Sequence, residues 1–497
     1  MKFAKLSILL LLSCFISGCG TQFEQTIEET EIIFTVTDPE SELKLESKSN
    51  LSTEILTEST AITNKTNISS TETTLTDTTD ITSTSQTNLT SASNIITTDN
   101  STQQTIIISN NKSTTTATTV TEFSTDSIFE ETESITEPIT ESIPEVIFKS
   151  GTVEEIMDMM TLEEKIYQLF IITPETLTGA GTVTVAGEQT RNALLSQPVA
   201  GLIYFADNLI DSNQTTTMLS NSQQYARESG IGLFLAVDEE GGLVARCAKK
   251  LGTTVLSPMA TYGAHNDFNE AFSIGQTLGY DISQFGFNLD FAPVADLNLN
   301  SGNELGNRIF SDNSEITANM VSGVVQGLQS TGVASTLKHF PGLGAEDGNA
   351  HYDDAIYIDR TLEQLRTEEF IPFQSGINSG ADFVMVSHQI VTSIGDNLPS
   401  CLSYTVCTDL LRNELNFNGI IITDSFQMNT ISGRYSSAES AVLAISAGVD
   451  IILMPTDLTA SVQALENAVY SGQISEDRIN QSVERILLEK QKLNLLG

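Results

Sequence analysis

The chain has 497 residues, a formal net charge of −41, five cysteines, four histidines and no tryptophan. Acidity on that scale argues against nucleic acid as a partner, because phosphate binding rests on Lys and Arg displacing counterions. Length allows several domains, but composition changes so sharply along the chain that only the C-terminal part reads as packed.

The N-terminus reads as an export signal over residues 1–19. Lys2 and Lys5 precede an apolar run, Leu6 to Ile16, that is too short for a permanent membrane helix. Its end, Ile16-Ser17-Gly18-Cys19, resembles a bacterial lipobox, which implies cleavage before Cys19 and a lipid on its sulfur. The expected location is extracytoplasmic, lipid-anchored to the bacterial cell membrane.

Residues 20–149 are predicted to be a disordered, Ser/Thr-rich acidic linker. No glycine occurs between Gly20 and Gly151, and no aromatic residue between Phe34 and Phe123. Such a segment buries too little apolar surface to offset its ordering entropy. A threonine-rich β module is the rival reading, and the missing turn signals count against it. Cys247, Cys401 and Cys407 show no CxxC spacing. They suggest neither a disulfide framework nor a zinc site, and proximity is the sole argument for a Cys401–Cys407 bridge.

From residue 150 to 497 short apolar runs alternate with longer amphipathic ones. Thr161 followed by Glu164 has the spacing of a helix-capping box. Eight strand-like runs follow: 168–173, 201–206, 232–238, 288–296, 334–340, 383–388, 419–424 and 450–455. They are rich in Val, Ile, Leu and Phe without strict alternation, as parallel strands covered on both faces should be. Residues 438–447 read as a helix closed by Gly448, and 476–495 as a last helix. The pattern predicts an α/β fold, a (β/α)8 TIM-type barrel after a disordered stalk. A doubly wound sheet is the alternative, disfavoured because no GxGxxG turn follows the first strand.

Polar residues cluster where these runs end. The third ends Asp238-Glu239-Glu240-Gly241-Gly242, the fourth at Asp296, the fifth at Lys338-His339, the sixth at His388 and the seventh at Asp424. Each alone reads as a cap or turn residue, but in a barrel these ends share one mouth. Carboxylates that accept, beside Lys and Arg that donate, suit a ligand rich in hydroxyls. The absence of tryptophan favours a small pocket over an open polysaccharide cleft. Metal ligation by Asp238, His339 and His388 is disfavoured, because no HxH or HxxxH spacing exists and Lys338 would repel a cation. No metal and no cofactor is expected.

Taken together, Val333 to His351 with its Lys338-His339-Phe340-Pro341-Gly342 core, the Asp238–Gly242 segment with Arg246, Asn307-Arg308, and Gly419 to Ser425 resemble glycoside hydrolase family 3. Within it they resemble the β-N-acetylhexosaminidase (NagZ-like) branch. The resemblance covers roughly residues 151–497. It implies a barrel and a retaining double displacement, with Asp424 as nucleophile and His351 as general acid/base. It also implies that Asp238, Arg246, Arg308, Lys338 and His339 hold the terminal sugar. Larger relatives take the acid/base from a second domain. This chain ends at Gly497 after its last helix, which favours a donor from the barrel's own loops. An imidazole, with an ordinary pKa near neutrality, can donate and accept there.

The branch pattern has Asp-Ser-His, in which the aspartate orients the histidine; here it is Asn349-Ala350-His351. Asn349 is expected to orient His351 through its amide oxygen, but it brings no charge to stabilise an imidazolium. Asp347, Asp353 and Asp354 are alternative partners. Leu343 replaces a histidine of the motif and reads as structural.

The expected activity is exo-acting release of terminal β-linked GlcNAc from cell-wall muropeptides or chitin-type oligosaccharides, by a protein expected to be monomeric. The alternatives are a β-glucosidase or β-xylosidase, a β-glycoside phosphorylase, and a catalytically weak surface sugar-binding lipoprotein.

Overall fold

The structure is a computed structural model describing residues 147–497. The expected leader 1–19, its Cys19 and the linker up to residue 146 lie outside the described residues. Lys149, placed in the linker by composition, belongs to the packed domain. It is buried, its ammonium meets the Glu164 carboxylate at 2.7 Å, and its N–H donates to the Ser229 carbonyl at 2.9 Å.

The expected capping box is present. The Thr161 hydroxyl accepts from the Glu164 N–H at 3.2 Å, and the Glu164 carboxylate accepts from the Thr161 N–H at 2.9 Å. Two orphan donors of the helix Leu162–Tyr167 are thereby satisfied.

Eight central strands lie inside the eight predicted runs. They are β1 (Phe170–Ile172), β2 (Gly201–Ile203), β3 (Phe234–Val237), β4 (Leu289–Asp290), β5 (Thr336–Phe340), β6 (Phe383–Val386), β7 (Ile420–Thr423) and β8 (Ile452–Leu453). Every residue in them is buried, which is why their sequences run apolar instead of alternating. One parallel sheet has the order β8-β1-β2-β3-β4 and another β7-β6-β5. Parallel bridges at Leu289–Ala334 and Ile422–Ile451 join β4 to the segment entering β5 and β7 to the segment entering β8. Each strand thus has a parallel neighbour on both sides.

Parallel neighbours need crossover connections, and helices supply them. Ser212–Arg227 links β2 to β3, Phe268–Ser283 links β3 to β4, Ser314–Gln329 links β4 to β5 and Phe370–Asn378 links β5 to β6. The predicted helix between β7 and β8 spans Ser437–Ala447. It ends at Gly448, whose φ of 113° is a conformation that favours glycine. The last helix, Glu476–Lys492, is shorter than expected. It buries Lys490, whose ammonium bonds the Gln168 amide oxygen at 2.7 Å and lies over the Phe234 ring. Burial holds that amine well below the usual lysine pKa. Cys247, Cys401 and Cys407 are buried free thiols, so the Cys401–Cys407 bridge is not formed.

Candidate active site

The strands lead their polar C-terminal ends to one pocket of about 500 Å³, within the usual range for small-molecule sites. Asp238, Arg246, Arg308, Lys338, His339, His351 and Asp424 all line it.

Lys338 and His339 are consecutive, and consecutive strand residues ordinarily face opposite sides. Here the ladder slips. Lys338 pairs with Met385 and Phe340 with Val386, so His339 is an extra, bulged residue. A bulge re-aims a side chain, and both residues line the pocket. The Asp296 carboxylate fixes His339 twice, at 3.0 Å from its backbone N–H and 2.7 Å from Nδ1, while also accepting the Leu343 N–H at 2.6 Å.

Glu240 is the hub of the pocket wall. It takes a bidentate pair from Arg308, Nε at 2.8 Å and Nη2 at 2.7 Å, and it meets the Lys338 ammonium at 2.5 Å. Lys338 also donates to Asp238 at 3.0 Å. Burial alone would raise the Glu240 pKa, but Lys338 and Arg308 hold it down at about 2. Burial likewise works against the Lys338 ammonium, and Glu240 with Asp238 reverse this and raise its pKa. Glu240 and Lys338 are therefore both charged at neutral pH. Arg246 lies 3.8 Å from Asp238 and over the Phe205 ring, and its Nε is a buried donor with no protein partner.

Asp424 follows β7. Its Oδ1 accepts the Ser425 N–H at 2.7 Å. Burial raises its pKa, yet His388 and His339 outweigh that and hold it below the usual carboxylate range. His388 lies behind it, with Nε2 2.8 Å from the Ser425 carbonyl and Nδ1 3.3 Å from the Cys401 sulfur. Burial lowers the His388 pKa.

His351 sits exposed on the irregular loop after β5. The expectation for Asn349 is corrected here. Its amide oxygen bonds the backbone N–H of His351 at 3.0 Å instead of the imidazole. The three alternative aspartates are occupied elsewhere: Asp347 by the Asn300 amide at 2.9 Å, Asp353 by the Asn349 N–H at 2.6 Å, and Asp354 by the Asn429 amide at 3.0 Å. Leu343 packs with Val294, Leu305 and Ile309, in keeping with a structural role.

Glu240 and Glu304 are lining residues outside the predicted site set. A signal for Glu240 existed, since alternation across a strand places it on the face of Asp238 and turns Glu239 away. Glu239 indeed accepts the Cys247 and Ala248 N–H groups, at 2.7 and 3.0 Å, on the opposite side. Among the described residues, no cluster of three or more His, Cys, Asp or Glu side chains is arranged to hold a metal.

Fold and pocket together define an α/β protein of parallel strands with a polar pocket built at the strand ends. Residues 161–488 match the model of the glycosyl hydrolase family 3 N terminal domain, and the chain belongs to this family. A beta-hexosaminidase of Stenotrophomonas maltophilia (strain K279a) is 33% identical over 282 residues, which are 55% of this chain and 81% of that protein. Beta-hexosaminidase A of Pseudoalteromonas piscicida is 30% identical over 322 residues, covering 59% of this chain and 54% of its own length. The solved family 3 β-N-acetylglucosaminidase from Paenibacillus sp. str. FPU-7 is 35% identical with a TM-score of 0.63, over 68% of this chain and 63% of that one. The chain thus spans little more than half of the P. piscicida relative.

Proposed function

We propose that this protein is a retaining, exo-acting β-N-acetylhexosaminidase that releases terminal β-linked GlcNAc from cell-wall muropeptides or chitin-type oligosaccharides. The observation that carries the reading is an ionised carboxylate, Asp424, facing the same pocket as the loop histidine His351. The names of the relatives support the glycone. In this reading the eight strands act as one closed (β/α)8 barrel, supported by the strand order and the two bridges.

The chemistry runs in two displacements. The Asp424 carboxylate attacks the anomeric carbon as the bond to the leaving oxygen breaks, and His351 gives that oxygen its proton. His351 then takes a proton from water, whose oxygen displaces Asp424 and frees the sugar. Asp238, Lys338, Arg246, Arg308 and His339 hold the terminal sugar. Asp238 accepts from hydroxyls, and the free Arg246 donor suits an oxygen of the ligand.

Water is the acceptor in this reading. Four carboxylates, Asp238, Glu240, Glu304 and Asp424, line the pocket, which disfavours an anionic acceptor such as phosphate. The test is release of nitrophenol from p-nitrophenyl β-N-acetylglucosaminide by the full chain. Turnover is expected at the same rate with and without phosphate. Turnover confined to glucosides or xylosides, or dependent on phosphate, would reject this reading.

The anchor reading is carried by Lys2, Lys5, the apolar run and Cys19. It places the enzyme outside the cytoplasm, held to the membrane by a lipid on Cys19. Labelled palmitate should enter the protein in a bacterial host. Labelling that survives Cys19→Ser would remove that proposal.

A further inference from the structure

The loop residue that usually charges the acid/base is absent here, and the structure supplies a different carboxylate. Four acidic residues of the His351 loop are already bonded: Asp347, Asp353 and Asp354 as described, and Glu346, which accepts the Asp359 N–H at 3.4 Å. Of the pocket-lining carboxylates, Asp238 and Glu240 are held by cations and Asp424 by the Ser425 N–H. Glu304 lines the same pocket as His351, and among the described residues it makes no hydrogen bond or ion pair.

The loop that carries Glu304 is tied to the loop that carries His351. Leu299 and Asn300 both donate to the Gly344 carbonyl, at 3.1 and 3.0 Å. Gly344 must be glycine for this approach, because a Cβ there would lie 1.9 Å from the Leu297 carbonyl oxygen. Leu305, next to Glu304, packs against Leu343. The Asn303 amide oxygen accepts the Leu305 and Gly306 N–H groups, each at 2.9 Å, and pins the backbone around Glu304. The charged groups facing Glu304 are His339, Asp424, His351 and Arg308. Burial, and after it the Asp424 carboxylate, raise the Glu304 pKa above its ordinary value, and the two histidines and the arginine offset this only in part.

We propose that Glu304 is the carboxylate partner of His351: a positioning residue, supplied by the loop after β4, that stabilises the imidazolium during proton transfer to the leaving oxygen. It replaces the charge that Asn349 lacks. This inference rests on the hexosaminidase reading. No extra covalent step is involved. His351 still gives the proton and takes it back from water, and the Glu304 carboxylate only lowers the energy of the charged ring.

The test compares the full chain with Glu304→Gln and Glu304→Asp on two substrates. Nitrophenol leaves with little protonation, whereas the sugar leaving group of N,N′-diacetylchitobiose needs a proton. Glu304→Gln should lower kcat on chitobiose by about 10²-fold, with a much smaller loss on the nitrophenyl substrate and little change in KM. The alkaline limb of its pH profile should move to lower pH, because the imidazolium loses its counter-charge. Glu304→Asp should retain the parent's profile and most of its rate. Equal losses on both substrates with an unmoved profile would assign Glu304 a purely structural role and overturn the proposal. An active parent matched by Glu304→Gln would overturn it alone. A parent without turnover would overturn the hexosaminidase reading and this inference with it.

Discussion

Replacing Asp424 by asparagine is expected to remove at least about 10⁴-fold of kcat while leaving the protein folded, as loss of a covalent nucleophile does elsewhere. The side chain keeps its size and its oxygen can still accept the Ser425 N–H, so the strand end should not rearrange. What disappears is the anion. Burial alone would raise the Asp424 pKa, and His388 and His339, with the Ser425 N–H and Lys338, more than reverse that. The ionised form is the reactive one, and its pKa lies below the usual 3.8. As pH falls, activity should therefore not be limited by Asp424 until below the ordinary carboxylate range. The measurement is single-turnover kinetics on p-nitrophenyl β-N-acetylglucosaminide, with circular dichroism as the check on folding. An asparagine variant retaining a tenth of the parent's activity would move the nucleophile elsewhere.

The eight strands were legible because burial on both faces leaves a plain chemical trace, runs of branched and aromatic residues between polar ends. Their limits were less legible. Runs such as 288–296 contain only a two-residue ladder, Leu289–Asp290, before the chain turns irregular. Of the site, Asp238, Arg246, Arg308, Lys338, His339, His351 and Asp424 could be named from motif and strand end, and all reach one pocket. The pairing of Lys338 with His339 on one wall depends on the ladder with β6, a partner far along the chain, so the bulge leaves no local signal. Asn349 failed as an orienting residue for a local reason. An Asn two residues before a backbone N–H readily closes on it, and here it does. Glu304 sits in a loop without periodicity, where nothing in the sequence says which side chain turns inward.

Removing the charge of Glu240 should have the largest effect on stability. Glu240→Gln is expected to cost about 3–5 kcal/mol, because the buried Lys338 and the half-buried Arg308 lose their shared counter-charge. Lys338 would keep only Asp238, and Arg308 would lose its bidentate partner. The pH dependence gives an independent sign. The folded pKa of Glu240 is about 2 against an ordinary 4.5, which corresponds to about 3 kcal/mol by linkage. A depressed acid contributes its full stability above the unfolded value and loses it as pH falls through the folded one. The gap between parent and Glu240→Gln should therefore hold at neutral pH, begin to close below 4.5 and be nearly gone near 2. Urea unfolding followed by circular dichroism at neutral pH and again near pH 4 and 3 reads it directly. In the proposed mechanism activity should fall as well, since the same carboxylate fixes Lys338 and Arg308, the two cations proposed to hold the sugar. A variant as stable as its parent, or a gap that does not change with pH, would mean that Asp238 and solvent already neutralise the two cations, and that Glu240 positions them without holding the wall together.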